Sequence, residues 1–409
     1  MNDGKMGVIV LAGTSKAARQ IRWRLRFGLF RSLFDPGYRK RRRANMEARI
    51  ASAINRDDYI WGENKALIFL HPDLTSQKNV NFLKRAIYFA QRSRGRMYSK
   101  RKSDMFRYLS VEGEAPLSLV VRSVARAEEV DKDHIVVVGP KIQIDKELHR
   151  IGMESITVAN QGRSLGENIL IGGRSLAKIG YEGEYVLIIG GDVPLADSGD
   201  IDRFIRRSRE RGGTPDIFWG MGSRSDLRDF IRDTKVEHLG RIGPNRPKKG
   251  YLNKFGIPIL DDTGQFGDMG NRQELMMGNL FLYRKKSINR DFINRLYSMR
   301  KMLANPFYYF RLGREFGKDL LRAAFYKVSL SEAEYIFNLQ TGIELKVVKA
   351  DPSLTMDLDS YSDLRRICAI MYRKAGDGRD LETDLLEYLR ERKMERKRKK
   401  KSGGKAARR

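Results

Sequence analysis

Short uninterrupted apolar runs alternate with amphipathic stretches along much of this chain. GVIVLAG at 7–13, IVVVG at 135–139 and YVLIIGG at 185–191 each line up four or more apolar residues and then stop at glycine. That is the pattern of a strand buried on both faces. Shorter runs at 156–159, 216–221, 277–283 and 344–349 read as further strands, and 61–70 (WGENKALIFL) as another. Between them, 120–127, 165–177 and 201–207 carry helical spacing, the last opened by Ser198 with Asp200 and Asp202. Ser331 with Glu334, and Ser360 with Asp363, match capping boxes for two later helices. Strands alternating with helices predict βαβ units: a three-layer α/β/α fold with a mostly parallel central sheet.

Elsewhere the alternation fails. Residues 17–103 are irregular and strongly basic, with a helix over 79–91, and read as an insertion in the main domain. Residues 241–271, rich in Gly, Pro, Asn and Lys, read as loops with short hairpin strands. Residues 291–327 form a basic, aromatic helical region broken at Asn305-Pro306. After a turn at 374–380, an amphipathic helix decays into KRKKKSGGKAARR, which lacks large apolar residues and reads as disordered. The organisation expected is one domain over 1–374 and a basic tail over 375–409.

Composition narrows the chemistry. One cysteine, Cys368, leaves no internal disulfide and fits a reducing cytoplasm. Four scattered histidines make a zinc site a poor fit. A metal held by this chain is expected on oxygen ligands, hence Mg2+ or Mn2+. No apolar run reaches the roughly 20 residues of a membrane span. The net charge of +29 predicts attraction to polyanions: nucleic acid, anionic lipid or phosphorylated substrates.

Candidate chemistry gathers where strands end. Asp192 stands at the carboxyl end of the 186–189 strand, in GDVPL, where open α/β sheets place their ligands. At 13–16, Gly13, Thr14, Ser15 and Lys16 follow the first strand in a common phosphate-cradling layout, though neither G-x-x-x-x-G-K-S/T nor G-x-G-x-x-G is present. LTMDLDSYSDL at 354–364 puts Asp357 and Asp359 just before a capped helix.

Together VIVLAG, GDVPL and LTMDLDSYSDL resemble the MobA-like NTP transferase superfamily, whose members share a GT-A-like nucleotide-sugar-transferase fold. The resemblance covers 7–13 and 108–373. LSVEGEAPLSLVV at 109–121, NQGRSLGENILIG at 160–172 and MGNLFLY at 277–283 follow that family's order of parts. It implies a metal on Asp192 with Asp357 or Asp359, and a nucleotide held by Leu11, Ala12, Gly13, Thr14, Ser15 and Gly191. Gln161, Ser164 and Asn168 would read base or ribose, and Lys249, Lys254 and Asn279 would meet the acceptor. Lys16 and Lys65 are the implied catalytic lysines, with Lys100 and Lys102 as alternatives to Lys65. The opening turn departs from the family, which has more glycines and an arginine there. Lys16 reads equally well as a helix-face lysine, and Asn168 as a packing residue.

The implied reaction is transfer of NMP from an NTP to a phosphorylated acceptor — a sugar, alditol or lipid-headgroup precursor — with release of pyrophosphate. The acceptor oxygen is already anionic, so alignment and charge neutralisation carry the catalysis. Arginines interleaved with aromatics at 21–34 and 302–325 suit an anionic leaflet, which suggests a cytoplasmic protein peripheral to the membrane's inner face. Two competing readings stay open: a glycosyltransferase of the same fold, with Asp357-x-Asp359 as its DxD, and a nucleic-acid-binding protein with a degenerate transferase domain.

Overall fold

The computed structural model describes residues 4–13, 65–68, 70, 115–233, 257–267, 270, 272–287, 328–358, 363–364, 366–368 and 370–371. These build one nine-stranded sheet with helices on both faces. In chain order the elements are β1 (Met6–Leu11), α1 (Pro116–Arg126), β2 (Val130–Gly139), α2 (Lys141–Arg150) and β3 (Thr157–Asn160). There follow α3 (Leu165–Lys178), β4 (Tyr185–Gly190), α4 (Ser198–Glu210), β5 (Ile217–Ser223) and α5 (Arg224–Asp233). Last come β6 (Ile257–Leu260), β7 (Arg272–Arg284), β8 (Val328–Ser329), α6 (Leu330–Thr341) and β9 (Leu345–Lys349).

The strand order is β3-β2-β1-β4-β7-β5-β9, with β6 paired to β7 and β8. β1 pairs in parallel with both β2 and β4, and β2 in parallel with β3. β7 runs antiparallel between β4 and β5, and β9 is parallel to β5. The chain steps outward from β1 through β2 to β3, then crosses back to place β4 on the other side of β1. The order therefore reverses between β1 and β4, and a crevice opens there outside the carboxyl ends of the strands.

The apolar runs explain the layering. Val8 and Val10 of β1 pack with Leu117 and Val121 of α1, Ile144 of α2 and Phe204 of α4 on one face. Ile9, between them, points to the other face and packs with Ile169 and Leu176 of α3 and Phe337 of α6. β4 is shared in the same way: Leu187 and Ile189 belong to the first cluster, Val186 and Ile188 to the second. Each such fully buried side chain stabilises the sheet by roughly 1.5–3 kcal/mol.

Several local expectations are revised. Asp197, not Ser198, caps α4, accepting from the Gly199 N–H at 3.0 Å. Asp202 takes no part in that cap. It is buried and accepts from the Glu128 and Glu129 N–H groups at 3.1 and 2.9 Å, closing the α1–β2 turn. The capping box of α6 is Ser329 with Glu332, two residues earlier than the Ser331–Glu334 spacing suggests. Glu334 is instead buried and accepts from the Val347 N–H at 2.6 Å. Within 61–70, the residues Lys65–Leu67 form a 3-10 turn, not a strand. α5 was not anticipated, because its start depends on Ser223 accepting from the Asp226 N–H at the end of β5.

The positive charge is not spread over this framework. Between residues 115 and 233 the chain has 17 Lys and Arg against 19 Asp and Glu, so the excess is carried elsewhere. The arginines of α4 are also locally balanced: Arg206 and Arg209 pair with Glu129, and Arg203 and Arg207 with Asp351. The basic stretches 21–34 and 302–325, the helix expected over 79–91 and the 375–409 tail lie outside the described residues. Among those described, no helix is long and apolar enough to cross a membrane.

Candidate active site at the switch point

Three turns meet in the crevice between β1 and β4. The first follows β1. The Ala12 N–H bonds the Val138 carbonyl at 2.9 Å, and the Gly191 N–H bonds the Leu11 carbonyl at 2.9 Å. These bonds extend the ladder by one residue on either side and hold Leu11, Ala12, Gly13 and Gly191 in one wall. A methyl group added at Gly191 would lie 3.2 Å from the Ala66 Cβ and 3.3 Å from the Ala12 Cβ. The 3-10 turn of Lys65–Leu67 therefore packs directly on this wall, which brings half-buried Lys65 to its edge.

The second turn follows β3. The Gln161 N–H bonds the Gly139 carbonyl at 2.8 Å. The buried Asn168 side chain, from the first turn of α3, accepts from the Gly162 N–H at 2.7 Å. Only an amide oxygen can accept that proton, so the Asn168 Nδ2 is turned the other way, toward Gly13. A Cβ built on Gly13 would stand 2.6 Å from Asn168 Nδ2 and 3.1 Å from Gln161 Oε1. Glycine is needed here for this close approach. Ser164 fixes the start of α3, where its Oγ accepts from the Glu167 N–H at 3.1 Å and caps the helix.

The third turn follows β4. The Asp192 carboxylate folds back over Gly190, with Oδ1 2.7 Å from where a Gly190 Cβ would be and the Asn279 Cβ 3.5 Å from the same point. Asn279 owes this position to an irregularity in β7. The β5–β7 register slips between Trp219 and Met221, and Gly278 sits so close to β5 that a Cβ there would lie 2.6 Å from the Gly220 carbonyl oxygen. Bulges of this kind re-aim side chains beside active sites.

After β9 and a short 3-10 turn at Pro352–Leu354, the chain returns to the crevice. The Leu358 N–H donates to the Asp192 carbonyl at 2.9 Å. The peptide between Asp357 and Leu358 thus sits on the backbone of Asp192, and two carboxylate residues distant in sequence become neighbours. Leu358 is fully buried and Asp357 half-buried.

Of the site residues expected from sequence, Leu11, Ala12, Gly13, Gln161, Asn168 and Gly191 line the β1–β3 side. Lys65, Asp192, Asn279 and Asp357 stand around β4. Thr14, Ser15, Lys16, Lys100, Lys102, Lys249, Lys254 and Asp359 lie outside the described residues. Among the described residues no group of three or more His, Cys, Asp or Glu is arranged to hold a metal ion. His134 is within β2, with Nδ1 2.8 Å from Asp131 and Nε2 3.1 Å from the Ile179 carbonyl, away from the carboxyl ends of the strands. What sequence reading missed is the turn carrying Lys65 as a wall of the crevice, and the β7 bulge, for which Gly278 before Asn279 was the available signal.

No protein family's profile matches the sequence, and no curated protein matches it. Several solved structures share the course of the chain at low identity. A hypothetical transferase from Thermus thermophilus is 17% identical over 63% of this chain and 88% of its own, with a TM-score of 0.42. A CMP:2-keto-3-deoxy-manno-octonic acid synthetase complexed with CTP is 12% identical over 64% and 90%, with a TM-score of 0.36. A 4-diphosphocytidyl-2C-methyl-D-erythritol synthase from Anaerococcus prevotii is 16% identical over 64% and 88%, with a TM-score of 0.34. Likeness at this level carries no statement of activity.

Proposed function

We propose that this chain is a nucleotidyltransferase that moves NMP from an NTP to a phosphorylated sugar, alditol or lipid-headgroup precursor and releases pyrophosphate. The observation that carries the reading is the Leu358–Asp192 backbone bond, which seats Asp357 beside Asp192 at the switch point of a mostly parallel sheet. Two carboxylates flanked by a glycine-walled crevice are what a polyphosphate substrate with a divalent cation requires.

The donor set fits Mg2+ or Mn2+. Asp192, Asp357 and the amide of Asn279 offer hard oxygen donors, and the described histidines and Cys368 are not among the residues that form the crevice. Mg2+ is commonly held by one or two carboxylates, with substrate phosphates and water completing its shell. Asp192 and Asp357, with Asp359, would hold the ion, and what it supplies when bound is charge neutralisation at the α-phosphate.

The chain's own residues do the rest. Gly13 lets the nucleotide approach the backbone after β1, with Thr14, Ser15 and Lys16 on the β- and γ-phosphates. Gln161 presents its amide to base or ribose, with Asn168 holding that turn through the Gly162 N–H and Ser164 capping α3 beside it. Lys65 offsets charge that develops near the α-phosphorus. Asn279, Lys249 and Lys254 orient the acceptor phosphate so that its oxygen faces the α-phosphorus in line. The basic segments outside the described body would hold the enzyme on an anionic inner leaflet, next to a headgroup precursor.

A pyrophosphate-release screen tests this: four NTPs against sugar and alditol phosphates, with Mg2+ and with chelator. One NTP–acceptor pair should release pyrophosphate only with metal, and Asp192→Asn should abolish it. No release from any pair by folded protein removes the assignment.

A further inference from the structure

Asp357 comes from a segment distant in sequence from Asp192, and the chain leading to it is bonded to α4. The loop after β4 runs from Asp192 to Asp197, which caps α4. In the first turn of α4, the Asp200 carboxylate accepts a hydrogen bond from the Ser353 hydroxyl. Arg203 Nε and Arg207 Nη1 donate to Asp351 Oδ2 at 3.1 and 3.3 Å, and Arg207 also reaches the Lys349 carbonyl at 3.1 Å. Ser353 is 1% exposed, so its hydroxyl is committed to Asp200 and has no water to exchange it for.

The segment 350–358 is thereby strapped down along its length. The Ala350 N–H bonds the Met221 carbonyl at 2.8 Å. Thr355 packs over Gly222, where a Cβ would lie 2.7 Å from the Thr355 Cγ2. The far end is the Leu358 N–H on Asp192. Asp192, the α4 cap, Asp200, Ser353 and Leu358 thus form a closed ring, and the two acids of the crevice sit at its closing point.

We infer that Asp200, through Ser353, is the positioning residue that sets Asp357 against Asp192. Asp200 stands at the α4 end of the ring and is not among the residues that line the crevice. The consequence for a bound cation rests on the nucleotidyl-transfer reading, whereas the strap itself does not.

Amide hydrogen exchange of the Leu358 peptide, read together with Mn2+ affinity in the presence of NTP, separates the two in the full chain. Ser353→Ala and Asp200→Ala should each speed exchange of the Leu358 amide by about tenfold or more, the factor set by losing a buried hydrogen bond to a charged group. β9 amides should be unmoved, and Mn2+ affinity should fall in step. Asp200→Asn keeps an oxygen for Ser353 and should stay near wild type. Unchanged Leu358 exchange in Ser353→Ala, or a uniform rise across all amides, overturns the inference. Faster Leu358 exchange in a protein that binds no Mn2+ with any NTP upholds the strap and removes the metal reading.

Discussion

Replacing Gly13 with alanine puts a methyl group where the structure has two side chains. The new Cβ would stand 2.6 Å from Asn168 Nδ2 and 3.1 Å from Gln161 Oε1, both inside van der Waals contact. Gln161 has a long stem with which to yield. Asn168 does not: it is 4% exposed, and its Oδ1 holds the Gly162 N–H at 2.7 Å. Relief therefore comes from stretching or breaking that bond, which leaves a backbone N–H poorly satisfied at the tip of the β3–α3 turn. The cost expected is about 1–3 kcal/mol, or a fall in Tm of roughly 2–10 °C. Because the same turn carries Gln161, affinity for the NTP selected by the pyrophosphate screen should drop about tenfold or more. Thermal melting and nucleotide titration check the two parts. A double-mutant cycle sharpens the test: in an Asn168→Ala background, Gly13→Ala should cost little, because the clash has gone. If Gly13→Ala melts and binds like wild type, or costs as much without Asn168 as with it, the convergence of Gly13, Gln161 and Asn168 is not what shapes this wall.

Further outcomes are expected from neighbouring features. Gly173, inside α3 with nothing within 4 Å of its would-be Cβ, should tolerate alanine and gain about 0.5–1 kcal/mol, read as a higher melting temperature. Asp202→Ala should destabilise by about 1–3 kcal/mol in denaturant unfolding, because it removes the buried carboxylate that the part-buried Glu128 and Glu129 N–H groups donate to. At Glu129 burial pushes the carboxyl pKa up, but the hydrogen bonds and charges of Arg209 and Arg206 outweigh it and hold the pKa below the usual value. Its contribution is thus present above the unfolded pKa and lost as pH falls through the folded one. Unfolding measured across pH 6 to 3 should show that loss in wild type and a weaker pH dependence in Glu129→Gln.

The framework was legible because its signals are local. A strand buried on both faces must be apolar at every position, so VIVLA, IVVV and VLII announce themselves, and each stops at a glycine that marks the carboxyl edge where the crevice opens. Asp192 stands at such an edge, which by itself suits a turn cap as well as a ligand; GDVPL together with LTMDLDSYSDL is what marks it out. Caps were misplaced where two spacings compete in one stretch. Ser331–Glu334 and Ser329–Glu332 both satisfy the pattern, and Glu334 is claimed instead by the Val347 N–H and Arg211, whose positions depend on β9 pairing beside α6 and on where α4 ends. The coupling of Asp200 to Ser353 had no local trace at all. Its partners are 153 positions apart, and Asp200 carries the ordinary signature of an acid in a helix's first turn. A side chain that serves a helix dipole and one that serves a distant strap look alike in one dimension. They are told apart by burial: an acid there only for the dipole stays hydrated, whereas Asp200 has its pKa raised, first by burial and also by the charge of Asp351, against the opposing pull of Ser353 and Arg203. A carboxylate kept in so unfavourable a place is held by the contact it makes, and that contact leads to Asp357.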